Sequence, residues 1–221
     1  MNRAVSWFSK IFLKPVVDRL FIEEVKGINN IPKKSNFILA ANHQSHLDQL
    51  ATGYICVPRR FHMIGQTDSY SGLTKLFLYI VYFLAGVIPL NRRSEESKKR
   101  VIEGAINSLK KGDILIIYPE GTRSRTGEIQ KGKMGIAKIF LKTGVPILPV
   151  GIKGTFELLP PAGKLKIKRI VKINIGKPLF FKEEFERAKK IYPNSKEYQQ
   201  IIQKITDKVM AEINRLFMVI R

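Results

Sequence analysis

Apolar residues along this chain switch between two spacings. Short, nearly unbroken apolar runs occur at Asn36–Asn42 (NFILAAN), Arg59–Gly65, Gly86–Leu90, Asp113–Pro119 (DILIIYP), Val145–Ile152 (VPILPVGI) and Arg169–Gly176. Runs of this length bounded by polar or turn residues predict strands. Between them the apolar positions recur every three or four residues. That spacing predicts helices over Ser45–Val57, Leu73–Leu84, Ser94–Lys111 and Lys133–Lys142, with Gly112 and Gly144 as stops. Near the C-terminus Tyr198, Ile201, Ile202, Ile205, Val209, Ile213 and Leu216 form a helical stripe that must dock on something. Strands alternating with helices predict an α/β domain built on a mixed, mostly parallel central sheet flanked by helices.

The first residues follow a different logic. Val5, Phe8, Ile11 and Phe12 recur at helical spacing with Trp7 beside them, and Arg3, Lys10 and Lys14 accompany that face. Pro15 is predicted to separate two short helices, the second carrying Val16, Leu20 and Phe21. Such a segment either packs on the domain or lies in a membrane interface, with aromatic residues at the acyl boundary and cations among head groups. Interrupting lysines and the lack of a small-residue cleavage site argue against a secretory signal. The longest uncharged stretch, Leu76–Leu90, falls short of the roughly 20 residues a span needs and contains Gly86 and Pro89. The chain divides into an amphipathic helical interface segment, residues 1–27, and an α/β domain, residues 28–221.

Composition narrows the partners. With 221 residues, 44% of them hydrophobic and 26% charged, the chain can bury a core of its own. A single cysteine, Cys56, excludes an intramolecular disulfide and a thiolate cluster for structural zinc, which suits a reducing, cytosolic-facing setting. Lys and Arg number 39 against 18 acidic residues, a formal net charge of +21. An excess of this size points to polyanionic partners: nucleic acid, anionic lipid head groups or phosphorylated substrates.

Four motifs fall at predicted strand ends, where α/β sheets collect ligands. In Asn42-His43-Gln44-Ser45-His46-Leu47-Asp48, Ser45 and Asp48 have the spacing of a capping box. The same spacing brings a carboxylate near His43, where it would fix the imidazole tautomer and stabilise the imidazolium. GVIPLNRR, Gly86–Arg93, ends in paired arginines that suit bidentate binding of phosphate. Tyr118-Pro119-Glu120-Gly121-Thr122-Arg123 leads into a loop carrying Arg125, Lys131 and Lys133. Gly121 allows close approach to backbone N–H groups there, and Glu120 could accept a ligand hydroxyl or orient Arg123. Val145–Gly151 carries Pro146 and Pro149 in an apolar strand suited to core packing or to the wall of an acyl pocket.

In this order the four motifs resemble the glycerolipid acyltransferase family typified by bacterial 1-acylglycerol-3-phosphate acyltransferase. The family pattern N-H-x-S-x-x-D is present in full from Asn42 to Asp48, and [FY]-P-E-G-T-R-S from Tyr118 to Ser124. Gly86–Arg92 is similar to the second motif, Lys133-Met134-Gly135 to the lysine-glycine pattern after the third, and Val145–Pro149 to the fourth. The resemblance runs from about Ile31 to Gly151. Departures are Asn91, Pro89 and Tyr118, where acidic, aliphatic or aromatic, and phenylalanine residues are commoner.

The resemblance implies transfer of a fatty acyl group from an acyl thioester to the free hydroxyl of 1-acylglycerol-3-phosphate, giving phosphatidic acid. It makes His43 the general base and Asp48 its orienting carboxylate. The acceptor's phosphate would lie among Arg92, Arg123 and Lys133, and Glu120, Gly121 and Thr122 would position the glycerol. Asn42 and Ser45 would support the pair. His46 would have a helix-surface role and His62 a structural one. The implied chemistry uses no metal, no cofactor and no enzyme nucleophile, with acyl-CoA or acyl carrier protein as donor substrate. Implied partners are the acceptor lysophospholipid, the donor and an anionic membrane, with no nucleic acid, at the cytoplasmic face of the cell membrane as a peripheral or monotopic protein. Related activities on glycerol-3-phosphate, another lysophospholipid or a lyso-aminolipid fit the same motifs. A basic nucleic-acid-binding module is the alternative from another class, but the basic residues surround the Glu-Gly-Thr-Arg loop without a recognised RNA-binding aromatic pattern. A noncatalytic lipid-binding relative would not need both His43 and Asp48.

Overall fold

The computed structural model describes residues 3–67, 86–193 and 195–220, and the helix expected over Leu73–Leu84 lies outside them. Among the described residues one seven-stranded sheet runs in the order β1-β7-β6-β2-β5-β3-β4. Its strands are β1 (Ile22–Lys26), β2 (Ile38–Ala41), β3 (Phe61–Gln66), β4 (Val87–Leu90), β5 (Ile114–Ile117), β6 (Ile147–Lys153) and β7 (Val171–Ile175). Every neighbouring pair is parallel except β6 and β7. The mixed, mostly parallel sheet expected from the apolar runs is the one observed.

Side-chain alternation along the central strands sorts the core into two layers. Phe37, Leu39 and Ala41 join Ile114, Ile116, Leu148 and Val150 on one face, packed with α3 (Leu47–Cys56). Ile38, Ala40, Leu115 and Ile117 point the other way, toward α4 (Glu95–Lys110), α5 (Gly135–Thr143) and the long α8 (Lys196–Met218). β2 and β5 are buried at every residue, as parallel strands covered on both faces must be. The C-terminal stripe docks on this second layer. A Cβ on Gly151 would lie 2.6 Å from the Phe217 nitrogen, so the end of α8 reaches the sheet only over a bare Cα.

Pro149 occupies an interior strand without breaking it. Its carbonyl accepts the Gly176 N–H at 2.9 Å, so its polar backbone edge faces the β7 side. The missing N–H therefore costs nothing in the β2–β6 ladder.

Three boundaries differ from expectation. Pro15 does not break the first segment into separate helices. α1 (Arg3–Phe8) passes through a π-helical stretch, Ser9–Leu13, into α2 (Lys14–Leu20), with Pro15 in the first turn of α2. The π-helical turn ahead of it widens the coil where the ring sits, with Lys14 N–H bonding Ser9 O across that turn. Secondly, the helical segment ends at Leu20 rather than at residue 27, because Ile22–Lys26 forms the outermost strand β1, paired with β7. Thirdly, the helix expected from Ser45 starts at Leu47. Short helices at Thr155–Leu158 (α6) and Lys182–Ala188 (α7) complete the described chain.

Candidate active site

Strand direction places the motifs. β2, β5, β3, β4 and β6 run the same way, so their carboxyl ends share one edge of the sheet. β2 and β5 are neighbours, so the turn after Ala41 lies beside the turn after Ile117. Asn42 fastens the first turn: its Nδ2 donates to Ile152 O at 2.8 Å and its Oδ1 accepts the Ile152 N–H at 2.7 Å. This side chain extends the β2–β6 ladder by one more rung and delivers His43 just beyond the strand.

Asp48 lies one turn below, fully buried. Its Oδ2 is 2.9 Å from His43 Nδ1 and accepts the N–H groups of Gln44 at 2.6 Å and Ser45 at 2.8 Å. The expected capping box is half made. Asp48 reaches back to Ser45 N–H as such a residue should, but Ser45 Oγ accepts from Leu47 N–H at 3.1 Å and donates to Leu159 O at 2.7 Å. One carboxylate oxygen thus closes the turn and grips the imidazole. With Nδ1–H donating to Asp48, the lone pair of His43 is on Nε2.

The loop after β5 holds the rest of His43. Glu120 Oε1 accepts the His43 N–H at 2.7 Å, and Ser124 N–H donates to His43 O at 2.7 Å. Glu120 Oε2 takes the Gln130 N–H at 2.9 Å. Expected to position a glycerol, Glu120 is instead 2% exposed, with both oxygens engaged by backbone. It braces the His43 backbone from inside the fold. Burial lifts its carboxyl from the ordinary 4.5 to about 7, against the pull of the Gln130 and His43 N–H groups. Gln44, also buried, donates through Nε2 to Gly127 O, tying the same two loops once more.

Tyr118 is a contact that residue patterns alone missed. Its ring stacks on the His43 imidazole, centroids 4.1 Å apart and planes 16° from parallel. Its hydroxyl is 2.8 Å from Thr52 Oγ1, which donates to Asp48 O at 2.9 Å. Burial raises the Tyr118 hydroxyl well above its ordinary range, so it stays a neutral donor. The π-face beneath the imidazole favours the ring when it gains charge.

The basic residues divide. Gly121 has φ +69°, and a Cβ there would lie 2.9 Å from Lys133 Cδ, so the lysine stem crosses its bare Cα. Thr122 and Arg123 follow, half-buried. His46 is held below its ordinary value by partial burial and then by the nearby Arg123 guanidinium. Arg92 shares the same edge but follows β4, three strand positions from β2. At the usual interstrand spacing its backbone is about 14 Å from the β2 end. His62 sits at the opposite edge, with Nδ1 2.9 Å from Gly86 O and Nε2 3.1 Å from Asp113 Oδ2, in the structural role expected of it. The fourth motif is core: Ile147, Leu148 and Val150 have no exposed surface.

Fold and site together define an α/β protein with a hydrogen-bonded His–Asp pair at the carboxyl end of a central strand, braced by a glycine-containing basic loop. The chain belongs to the Acyltransferase family, whose model matches residues 23–153. A 1-acyl-sn-glycerol-3-phosphate acyltransferase of Borreliella burgdorferi is 40% identical over 132 residues, 59% of this chain and 51% of that protein. The chloroplastic 1-acyl-sn-glycerol-3-phosphate acyltransferase BAT2 of Brassica napus is 25% identical over 182 residues, 79% of this chain and 50% of that one. The chain thus spans about half the length of these relatives. The crystal structure of the 1-acyl-sn-glycerophosphate (LPA) acyltransferase PlsC from Thermotoga maritima superimposes with a TM-score of 0.65 at 29% identity. That match covers 96% of this chain and 81% of the Thermotoga chain.

Proposed function

We propose that this protein transfers a fatty acyl group from an acyl thioester, acyl-CoA or acyl carrier protein, to the free hydroxyl of 1-acylglycerol-3-phosphate, giving phosphatidic acid. The observation that carries this reading is the His43–Asp48 pair at 2.9 Å, held by Glu120 and Ser124 beside the Gly121–Arg123 loop. His43 Nε2 takes the acceptor hydroxyl proton as oxygen attacks the thioester carbonyl. Asp48 and the Tyr118 ring stabilise the imidazolium that results. Collapse of the tetrahedral intermediate breaks the C–S bond, and the thiolate receives that proton from His43. Arg123 and Lys133 hold the phosphomonoester, with Arg92 reaching from β4. Names of the relatives support this acceptor, and the net charge of +21 suits an anionic acceptor, donor and membrane surface. Trp7, Phe8, Ile11 and Phe12, all more than half exposed, support seating α1 and α2 on the cytoplasmic face of the membrane. No helix of the described residues is long and apolar enough to cross one.

An acyl-transfer assay crossing lysophosphatidic acid, glycerol-3-phosphate and a lysophospholipid without a phosphomonoester against both donors tests the proposal. Phosphatidic acid formed fastest from lysophosphatidic acid is the expected outcome. Equal turnover of the acceptor lacking the phosphomonoester would remove the role given to Arg123 and Lys133.

A further inference from the structure

Between α6 and β7 the chain reads PPAGKLKIKRI, residues 160–170, with Lys164, Lys166, Lys168 and Arg169 interleaved with Leu165 and Ile167. Leu165 and Ile167 are 50% and 66% exposed, and the four cations around them are exposed too. No acidic residue occurs from Pro160 to Lys172. Exposed aliphatic side chains bracketed by cations match the layering of a membrane interface, with hydrocarbon below and anionic head groups above.

The position of this loop sharpens the match. β7 runs against β6, so the start of β7 lies at the edge that carries His43. Val171 N–H donates to Phe21 O at 2.8 Å, and Arg169 Nε donates to Ile22 O. One end of the loop is therefore fastened where α2 gives way to β1. At its other end Leu159 O accepts the Ser45 hydroxyl, within the turn that holds His43. The loop bridges the helix with the exposed apolar side chains and the catalytic turn.

We infer that residues 164–169 are a second membrane-contact element, seating Leu165 and Ile167 in an anionic bilayer with Lys164, Lys166, Lys168 and Arg169 among its head groups. This rests on the membrane-surface reading of α1 and α2. It adds a contact at the active-site end of the helix, so that the bilayer meets the protein where a lysolipid must leave it.

Trp7 is the only tryptophan in the chain, which makes the two elements separable by fluorescence. The unaltered chain reports on α1. A Trp7→Phe/Leu165→Trp variant reports on the loop. With phosphatidylcholine vesicles containing phosphatidylglycerol, both proteins should show blue-shifted emission and quenching by brominated acyl chains. Leu165→Ser/Ile167→Ser should lower vesicle partitioning about ten-fold. Lys164→Gln/Lys166→Gln/Lys168→Gln should lower it about a hundred-fold on phosphatidylglycerol vesicles and leave pure phosphatidylcholine binding unchanged. All the altered residues are exposed, so an unchanged thermal transition is expected of each variant. Unshifted loop emission alongside shifted Trp7 emission overturns the loop's role and leaves α1 as the membrane contact. No shift in either, with no cosedimentation, sinks the membrane reading as well. Intact vesicle partitioning with turnover lost only for the acyl carrier protein donor would assign the loop to a protein partner, against this proposal.

Discussion

Glu120 accepts the backbone N–H of His43 at 2.7 Å. A carboxylate on the β5 loop thereby sets the position of His43 on the β2 loop through its backbone. Glu120→Gln keeps one carbonyl oxygen and turns an amide NH2 toward one of the two backbone N–H groups. Turnover should fall roughly ten- to hundred-fold through misplacement of His43, with acceptor KM little changed. A wild-type kcat in steady-state assays would show that the brace is dispensable.

The same residue predicts a pH dependence of stability. Its carboxyl titrates near 4.5 when unfolded and about 7 when folded, because burial penalises the charge. The folded state therefore binds the proton more tightly between those values. The stabilising effect is complete below about pH 4.5 and is lost as pH rises through about 7. At most about 3 kcal/mol is involved. Urea melts across this window should show wild type losing stability relative to Glu120→Gln as pH increases, and parallel curves would refute the buried titration.

Asp48 combines two jobs that substitution can separate. Asp48→Asn retains an oxygen for the Gln44 and Ser45 N–H groups but no longer enforces the tautomer with the lone pair on Nε2. Activity should drop by about 10²–10⁴, while the melting temperature moves only a few degrees. His43→Ala should lose a comparable factor and still bind lysophosphatidic acid. A large fall in melting temperature for Asp48→Asn would mean that turn closure dominates over catalysis.

Tyr118 offers a ring and a hydroxyl, and only the ring faces the imidazole. Tyr118→Phe should keep kcat within about three-fold and cost about 1 kcal/mol for the lost hydrogen bond to Thr52. Tyr118→Leu removes the stacked π-face and should depress kcat further. Identical kinetics for the two variants would deny the stack a part in stabilising the imidazolium.

Gly121→Ala brings a Cβ against the Lys133 stem at a positive φ. The backbone penalty is about 1 kcal/mol, and displacement of Lys133 should raise acceptor KM. Arg123→Ala should raise acceptor KM as well, and a Michaelis constant unchanged in both variants would argue against phosphate binding at this loop.

Much of this organisation can be read from local pattern. β2, β5 and β6 announce themselves as apolar runs, because both faces of a central strand must be hydrophobic. β1 does not: Ile22-Glu23-Glu24-Val25-Lys26 is an outer strand whose middle residues face solvent, so its charges resemble a loop. The His43–Asp48 contact follows from spacing within one turn. The roles of Glu120 and Tyr118 depend instead on β2 and β5 being neighbours, which a single strand's sequence does not encode. Arg92 shows the converse: its motif is clear, yet strand order sets β4 three positions from β2.

Gly151 carries the end of α8, and the next residue, Ile152, is the one Asn42 clamps. A nascent chain that stops before Lys196 already contains His43, Asp48, Glu120 and Arg123. The layer of Ile201, Ile202, Ile205 and Val209 that covers its sheet has yet to be synthesised. The strands behind the His43 turn therefore gain their apolar cover only when α8 docks, so the scaffold of the site depends on a segment far from it in sequence.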